Sequence, residues 1–564
     1  MKSKSLLENT AKSVDVTKLR IDIKDAFFKK YCVYRIGTDR RLWNKLDLID
    51  FAASCGKVEN GHTYLYILTE ENRPTVKRRL EELEVPFDVI GESRTVPAKL
   101  LVNAICRDKG FTCLAGKNFW IEPVTFYRED KQVRAVDIPE IWLSNENVIS
   151  IHTSRFVMYN EHYRNLPAYR YEEGRLVRDY APDDSCYVQH GEIDRRTGKQ
   201  RRAKALNYLS TNDGAYYSSR AALIQLILMR LNKKFSGLLT ADFEQAVEIV
   251  SFPAESQAKY KKMLDDNIRM HFSEGVWSDA KEFLEIYGIK PIKTGPRIML
   301  VDEKEAYEEG KDEYVPSLDV QHITRPLYLQ AKEEIDAHSE NISGEGKGSK
   351  NLLMAQLARC CLTELAIKQD VAGGVDSFSG YLTSFREPAV FIIKNDNFCN
   401  YVRKDGILLD FGRFDLADPR YPSWAPDTLL DVKEKHIVIK DKAILGLEAT
   451  GISILPDKSS GRIISEKHGK VRNKEYLEPL FGGMIGAHIY ELGGEIYYYS
   501  SVVGKGMKPN INNASTLMRI VEYVPCDNYD WFLPYVAVTY INAGDRFTKY
   551  PYLFKYLEEW MNVN

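Results

Sequence analysis

Between residues 288 and 297 the chain reads GIKPIKTGPR, and no regular element runs easily through such a stretch. Each proline fixes φ and lacks an N–H donor, while each glycine leaves the backbone unrestrained. The stretch marks a break, and the apolar pattern changes across it. Upstream, YCVYRIG and HTYLYIL have the β-branched and aromatic content of strands, EENRPTVKRRLEEL the spacing of an amphipathic helix, and VPFDVIG that of another strand. Residues 100–190 are strand-rich (NFWIEPVTFY, NVISIHTSRFVMY, AYRYEEGRLVRDY), the last a hairpin turning at Glu173–Gly174. Three helices are expected next, over SSRAALIQLILMRLNKKF, TADFEQAVEIV and ESQAKYKKMLDDNIRMHF. After the break, strand and helix alternate as in an α/β domain. From about residue 381, the strands AVFIIK, ILLDFG, HIVIK, AILGLEA, RIISEK and EIYYYSSVV precede two closing helices. The expectation is an α/β multidomain chain divided into residues 1–100 (α+β), 101–290, 291–380 and 381–564.

Charge excludes little. With 78 basic and 80 acidic residues, no global field announces a nucleic-acid partner, although a basic groove can be balanced by acid elsewhere. The nine cysteines are scattered and contain no C-x-x-C pair, against both a disulfide framework and a zinc site. The first twenty residues lack a signal-peptide core, and no apolar run approaches the roughly 18 residues that span a bilayer. A cytoplasmic protein without a membrane partner is expected.

The stretch after the break carries the chemistry. RIMLVDE reads as a buried strand, a helix is expected from near Glu303, and SLDVQHI reads as the next strand. Tyr307 and Lys311 would share a helix face one turn apart. Gln321 would lie near the exposed carboxyl end of its strand, where open α/β sheets bind ligands. The glycine-rich loop 343–349 leads into NLLMAQLARCCLTELAIK with Lys350 at its start, where a helix N-terminus attracts phosphate. An aromatic face for a base, two ammonium groups for phosphate oxygens and an amide for a base edge or a phosphate would together hold a nucleotide end. The plainer reading is an ordinary charged surface helix, because Y-x-x-x-K is a common spacing.

The order Tyr307, Lys311, Gln321, Lys350 resembles the MID domain of Argonaute proteins, where four such residues clamp the 5′ end of a guide strand. Lys347 and Lys368 compete for the fourth place. The resemblance implies a Rossmann-like MID domain over 291–380 and a ribonuclease H-like PIWI domain over 381–564. Before these would come an α+β N-terminal domain and, over 101–290, a linker with a reduced PAZ-like region. It implies a short 5′-phosphorylated guide, DNA here, paired with plasmid or phage target DNA. It also implies an effector partner such as a helicase–nuclease, in prokaryotic defence. Mg²⁺ is the one cofactor to test for, at the guide 5′ phosphate. The basic turn DRRTGKQRRAK offers Arg195, Arg196, Lys199, Arg201 and Arg202 as further nucleic-acid contacts, or simply a solvated hairpin tip.

An active PIWI domain needs carboxylates converging on two Mg²⁺ ions. In PAVFIIKNDNF the first of them would fall at Lys394 or Asn395, with Asp396 displaced past the strand, and VVGKGMKPN lacks the later Arg-Asp-Gly. No catalytic residue and no resident metal are therefore expected. Two rivals remain. Asp410 at a strand end with Asp431 and Lys433 fits the pattern of a PD-(D/E)xK nuclease, against a solvated strand end. A structural or viral assembly protein is the other.

Overall fold

The computed structural model describes residues 13–37, 52–57, 63–70, 75–90, 96–107, 119–120, 125–129, 132–160, 164, 166–172, 175–189, 219–252, 257–302, 316–339, 352–378, 388–418, 420–455, 486–501, 516–537 and 550–564. By Cα proximity the chain forms two compact units. One comprises Val14–Gln245 with Gly451–Tyr476, and the other Met1–Ser13, Ala246–Thr450 and Leu477–Asn564.

The first of these units is mostly antiparallel sheet. Tyr31–Gly37, Ala52–Lys57, Thr63–Glu70 and Phe87–Ile90 form one sheet, and strands between Phe119 and Gln189 form another. The strands Ala168–Glu172 and Arg175–Asp179 pair antiparallel with Glu172 opposite Arg175, while the expected turn residues Glu173 and Gly174 lie outside the described residues. The helix Arg220–Lys234 is capped by Ser219, whose side chain accepts from the Ala222 N–H. This hydroxyl satisfies a donor that the helix start leaves unpaired. The next expectation fails. TADFEQAVEIV is not a helix but part of the strand Leu239–Phe252. Leu239, Ala241 and Phe243 are buried while Thr240 faces out, a period of two that outweighs the helix-forming content of the segment.

In the other unit, Trp277–Ser278, Arg297–Val301 and Val320–Thr324 form a parallel sheet, consistent with the α/β expectation there. Helices Gln257–His271, Lys281–Tyr287, Arg325–Ser339 and Leu352–Gly373 surround it. The stretch 288–297 is no open linker. Ile289 is buried, and a Cβ on Gly275 would sit 2.5 Å from the Lys290 carbonyl oxygen. RIISEK lies outside the described residues. The other strands expected after residue 381 are present, as Ala389–Asn395, Leu408–Asp415, His436–Lys440, Ala443–Ser453 and Glu495–Ser501, and three that sequence reading did not name, Phe398–Asp405, Gly486–Leu492 and Thr516–Val524, join them in antiparallel pairs. One apolar core unites both parts, from Ile268, Phe283 and Ile298 through Leu362 and Leu365 to Phe391, Val438 and Leu557. Burying each such side chain contributes roughly 1.5–3 kcal/mol.

Leu352–Gly373 is the central helix of this core. Over its last three turns it is buried on nearly every side, as the apolar run CCLTELAIK requires. Gly374 follows in the left-handed region (φ +64°), where glycine ends helices without strain. The next residues bond to a hairpin: Asp376 N–H to Ile407 O at 2.8 Å, and Leu409 N–H to Gly374 O at 2.8 Å. Here the core turns polar. Lys404 Nζ lies 2.6 Å from Asp376 Oδ2, both side chains fully buried. Tyr552, which caps the C-terminal helix Leu553–Val563, donates its hydroxyl to the same oxygen. Removing one partner of a buried pair leaves the other charge uncompensated. Lys404→Met is therefore expected to destabilise this unit by about 3–5 kcal/mol, read by urea unfolding. A loss below about 1 kcal/mol would mean that solvent reaches Asp376.

Candidate functional site

Gln321 is the second residue of Val320–Thr324, opposite Ile298 of the parallel strand Arg297–Val301. It lies at the amino end of its strand, which corrects the expectation of a carboxyl-end position. The strand begins at Val320, because Pro316 to Asp319 form the approach to it and Arg297 N–H already bonds to Asp319 O.

The central helix is laid against this strand start. Gln321 Nε2 donates to Glu364 Oε2 at 2.6 Å and to the His322 carbonyl at 3.1 Å. Lys368 Nζ donates to Val320 O at 2.7 Å, and Gln369 Nε2 to Leu318 O and Asp319 Oδ1, each at 3.0 Å. Glu364 and Lys368, one turn apart, share a helix face, and Gln369 stands on the adjoining one. Burial pushes the Lys368 ammonium's pKa down, against the carboxylates of Glu559 and Glu364. Glu559 belongs to the C-terminal helix, where Lys555 Nζ pairs with Glu559 Oε1 at 2.8 Å. Burial, the largest influence, would lower the Lys555 pKa, but Glu559, Glu364 and Glu558 together outweigh it and the net direction is up.

This geometry limits what Gln321 can do. A primary amide carries two N–H donors, and both are engaged, so in this orientation Gln321 offers a phosphate nothing. Its carbonyl oxygen is an acceptor. Lys368 is nearly as constrained: buried and bonded to Val320 O, it is a brace for the strand. Mg²⁺ is usually held by one or two carboxylates together with waters and substrate phosphates. Here Glu364 is engaged by Gln321, and Glu559 by Lys555.

Tyr307, Lys311, Lys347 and Lys350 lie outside the described residues, as do Arg195, Arg196, Lys199, Arg201 and Arg202 and the segment VVGKGMKPN. Sequence reading missed Glu364, Lys555 and Glu559; nothing local marks them, since each matters through residues far away in the chain.

The proposed metal positions can be placed. Asp396 has positive φ (49°) in the two-residue turn joining Ala389–Asn395 to Phe398–Asp405, past the strand end as expected. Lys394 Nζ donates to the carbonyls of Leu429 and Val432, holding the 3₁₀ turn Asp427–Leu430. The rival nuclease constellation departs from its expected setting. Asp410 is the third residue of Leu408–Asp415, opposite Arg403, and not at a strand end. Asp431 caps the 3₁₀ turn instead of following an apolar strand. Among the described residues no helix is long and apolar enough to cross a membrane.

No family model matches the chain, and no curated protein matches it. Among solved structures, an Argonaute of Kluyveromyces polysporus with a guide RNA is similar over 99% of this chain and 95% of its own, at 8% identity and a TM-score of 0.43. The likeness is faint at that level, and what this chain does has to come from its own residues.

The Gln321–Glu364 bond can be tested directly. Gln321→Glu sets two carboxylates against each other and is expected to destabilise by about 1.5–3 kcal/mol near neutral pH, and less in acid. Exchanging the pair, Gln321→Glu with Glu364→Gln, is expected to recover most of the loss in thermal unfolding. Equal losses in the single and exchanged variants would show that the contact contributes nothing.

Proposed function

We propose that this chain is a guide-binding protein of the Argonaute kind, which holds the 5′-phosphorylated end of a short DNA beside the strand Val320–Thr324 and pairs that DNA with a target strand. The observation that carries the reading is the placing of Gln321. Its amide is part-buried, oriented by Glu364 and left with a carbonyl acceptor, on the second strand of a parallel pair. In this scheme Lys311 and Lys350 neutralise the phosphate, Tyr307 stacks on the terminal base, and Gln321 accepts a hydrogen bond from a base N–H. Sequence is read by pairing with the guide, a division of labour that leaves the protein to recognise backbone and charge.

The same scheme has the chain bind without cutting. Where a first metal-binding carboxylate is needed, Lys394 is tied to two carbonyls, and an ammonium cannot replace a carboxylate as a Mg²⁺ ligand. Silencing plasmid or phage DNA would then fall to a partner such as a helicase–nuclease.

The test uses synthetic oligonucleotides differing only at the 5′ end. A 5′-phosphorylated strand is expected to bind about 10-fold or more tighter than its 5′-hydroxyl counterpart, the scale of one or two charge-assisted hydrogen bonds. The preference should vanish in Tyr307→Ala/Lys311→Ala. Equal affinity for both strands in the unmodified protein would overturn the reading, and Mg²⁺-dependent cleavage lost in Asp431→Ala would replace it with the nuclease.

A further inference from the structure

One buried carboxyl of the core is satisfied on one side only. Asp370, near the end of the central helix, is fully buried. Its Oδ2 accepts from Ser377 N–H at 3.0 Å, Ser377 Oγ at 2.9 Å and Tyr556 OH at 2.9 Å. Its Oδ1 accepts from no donor among the described residues. Among the described residues, the ionisable group facing that side is His271, the last residue of the helix Gln257–His271, with Nδ1 3.8 Å away. The other charged groups around it are engaged. Asp376 is paired with Lys404 of Phe398–Asp405, and Tyr556 OH lies 3.3 Å from Asp376 Oδ1. Lys368 of the same helix is bonded away to Val320 O.

A carboxylate with an unbonded buried oxygen is costly, whereas the same oxygen as O–H needs only an acceptor. An unprotonated imidazole nitrogen is one. We propose that Asp370 and His271 share a single proton, and that this proton is a latch fastening the ends of the helices Gln257–His271 and Leu352–Gly373 at the Lys404–Asp376 ion pair. With the proton on Asp370, O–H faces a neutral ring, and a closure of about 1 Å makes a hydrogen bond. Passing it to His271 Nδ1 breaks that O–H bond and creates an aspartate–imidazolium pair. Loss of the proton from both leaves two acceptors face to face, and the latch opens.

The protonation tendencies agree with this placement. Burial raises the Asp370 pKa to about 7, only partly offset by Ser377 and Tyr556. Burial likewise lowers that of His271. Between the ordinary aspartate value near ~4 and about 7, the folded chain keeps a proton on Asp370 that the unfolded chain has released, so the Asp370 contribution to stability falls as pH rises through that window. His271 acts oppositely: below ~6.5 the unfolded chain gains a proton that the folded ring resists, so its contribution falls as pH drops.

The experiment is a double-mutant cycle on the full chain, with Asp370→Asn, His271→Gln and both together, followed by thermal unfolding from about pH 5 to about pH 8. A shared proton makes the coupling between the two positions change across the window, with Asp370→Asn flattening the wild-type decline toward high pH. Coupling that is the same at every pH means ordinary packing and overturns the latch. Should Asp370→Asn fail to fold, infrared spectra of the wild type and His271→Gln decide. A buried protonated carboxyl that titrates near neutrality in the wild type, and at another pH in His271→Gln, supports the proposal. No such band, or one unmoved by the histidine change, removes it.

Discussion

The buried ion pair between Lys404 and Asp376 is the constraint around which the larger unit is arranged. Two fully buried charges at 2.6 Å repay their desolvation only when remaining lone pairs are also satisfied. Asp376 is reached by Lys404 from one strand and by Tyr552 at the start of the C-terminal helix. The donors arrive from a strand and from the C-terminal helix, so both elements must be in place before the pair is satisfied. Gly374 makes that arrangement reachable, because its left-handed turn delivers Asp376 to the hairpin at Ile407. A hydrophobic core alone would tolerate small slips of helix against sheet. The ion pair holds Asp376, Lys404 and Tyr552 in one mutual arrangement.

The central helix carries that register to the candidate site. Two residues along the helix from Lys368, braced on Val320 O, stands Asp370, bonded to Ser377 and Tyr556. The orientation of Glu364 toward Gln321 thus shares a rigid helix with the polar core. The C-terminal helix contributes to both places, with Lys555 and Glu559 near one and Tyr556 at the other. Shifting the helix by a turn would displace both sets of contacts together.

Much of this could be read from sequence and some could not, for physical reasons. AVFIIK, HIVIK and AILGLEA are runs whose β-branched content and flanking turns leave few alternatives, and they are strands. TADFEQAVEIV misled because alanine, glutamate and glutamine favour helix, while burial of every second residue favours strand, and burial prevailed. Gln321 was legible as a strand residue, but not its end of the strand, since boundaries depend on where pairing with Arg297–Val301 starts. The polar core was illegible altogether. Lys404 is 28 positions from Asp376, and Tyr552 is 176 away, so no local pattern joins them.

The charges near Gln321 bear on how the proposed guide end would be held. Glu364 and Glu559 stand against Lys368 and Lys555, with Lys368 spent on a backbone carbonyl. Among the described residues this neighbourhood is close to balanced and has no surplus cation for a phosphate. In the proposed reading phosphate affinity would come instead from Lys311 and Lys350, on segments that flank the strand in sequence. The two kinds of contact would answer differently to salt. Lysine–phosphate contacts release counterions and weaken steeply as ionic strength rises, whereas a carbonyl accepting from a base does not. If the proposed reading holds, discrimination between terminal bases would therefore persist at salt concentrations that erase the preference for a 5′ phosphate, because the Gln321 amide is oriented by Glu364 and its acceptor owes nothing to net charge.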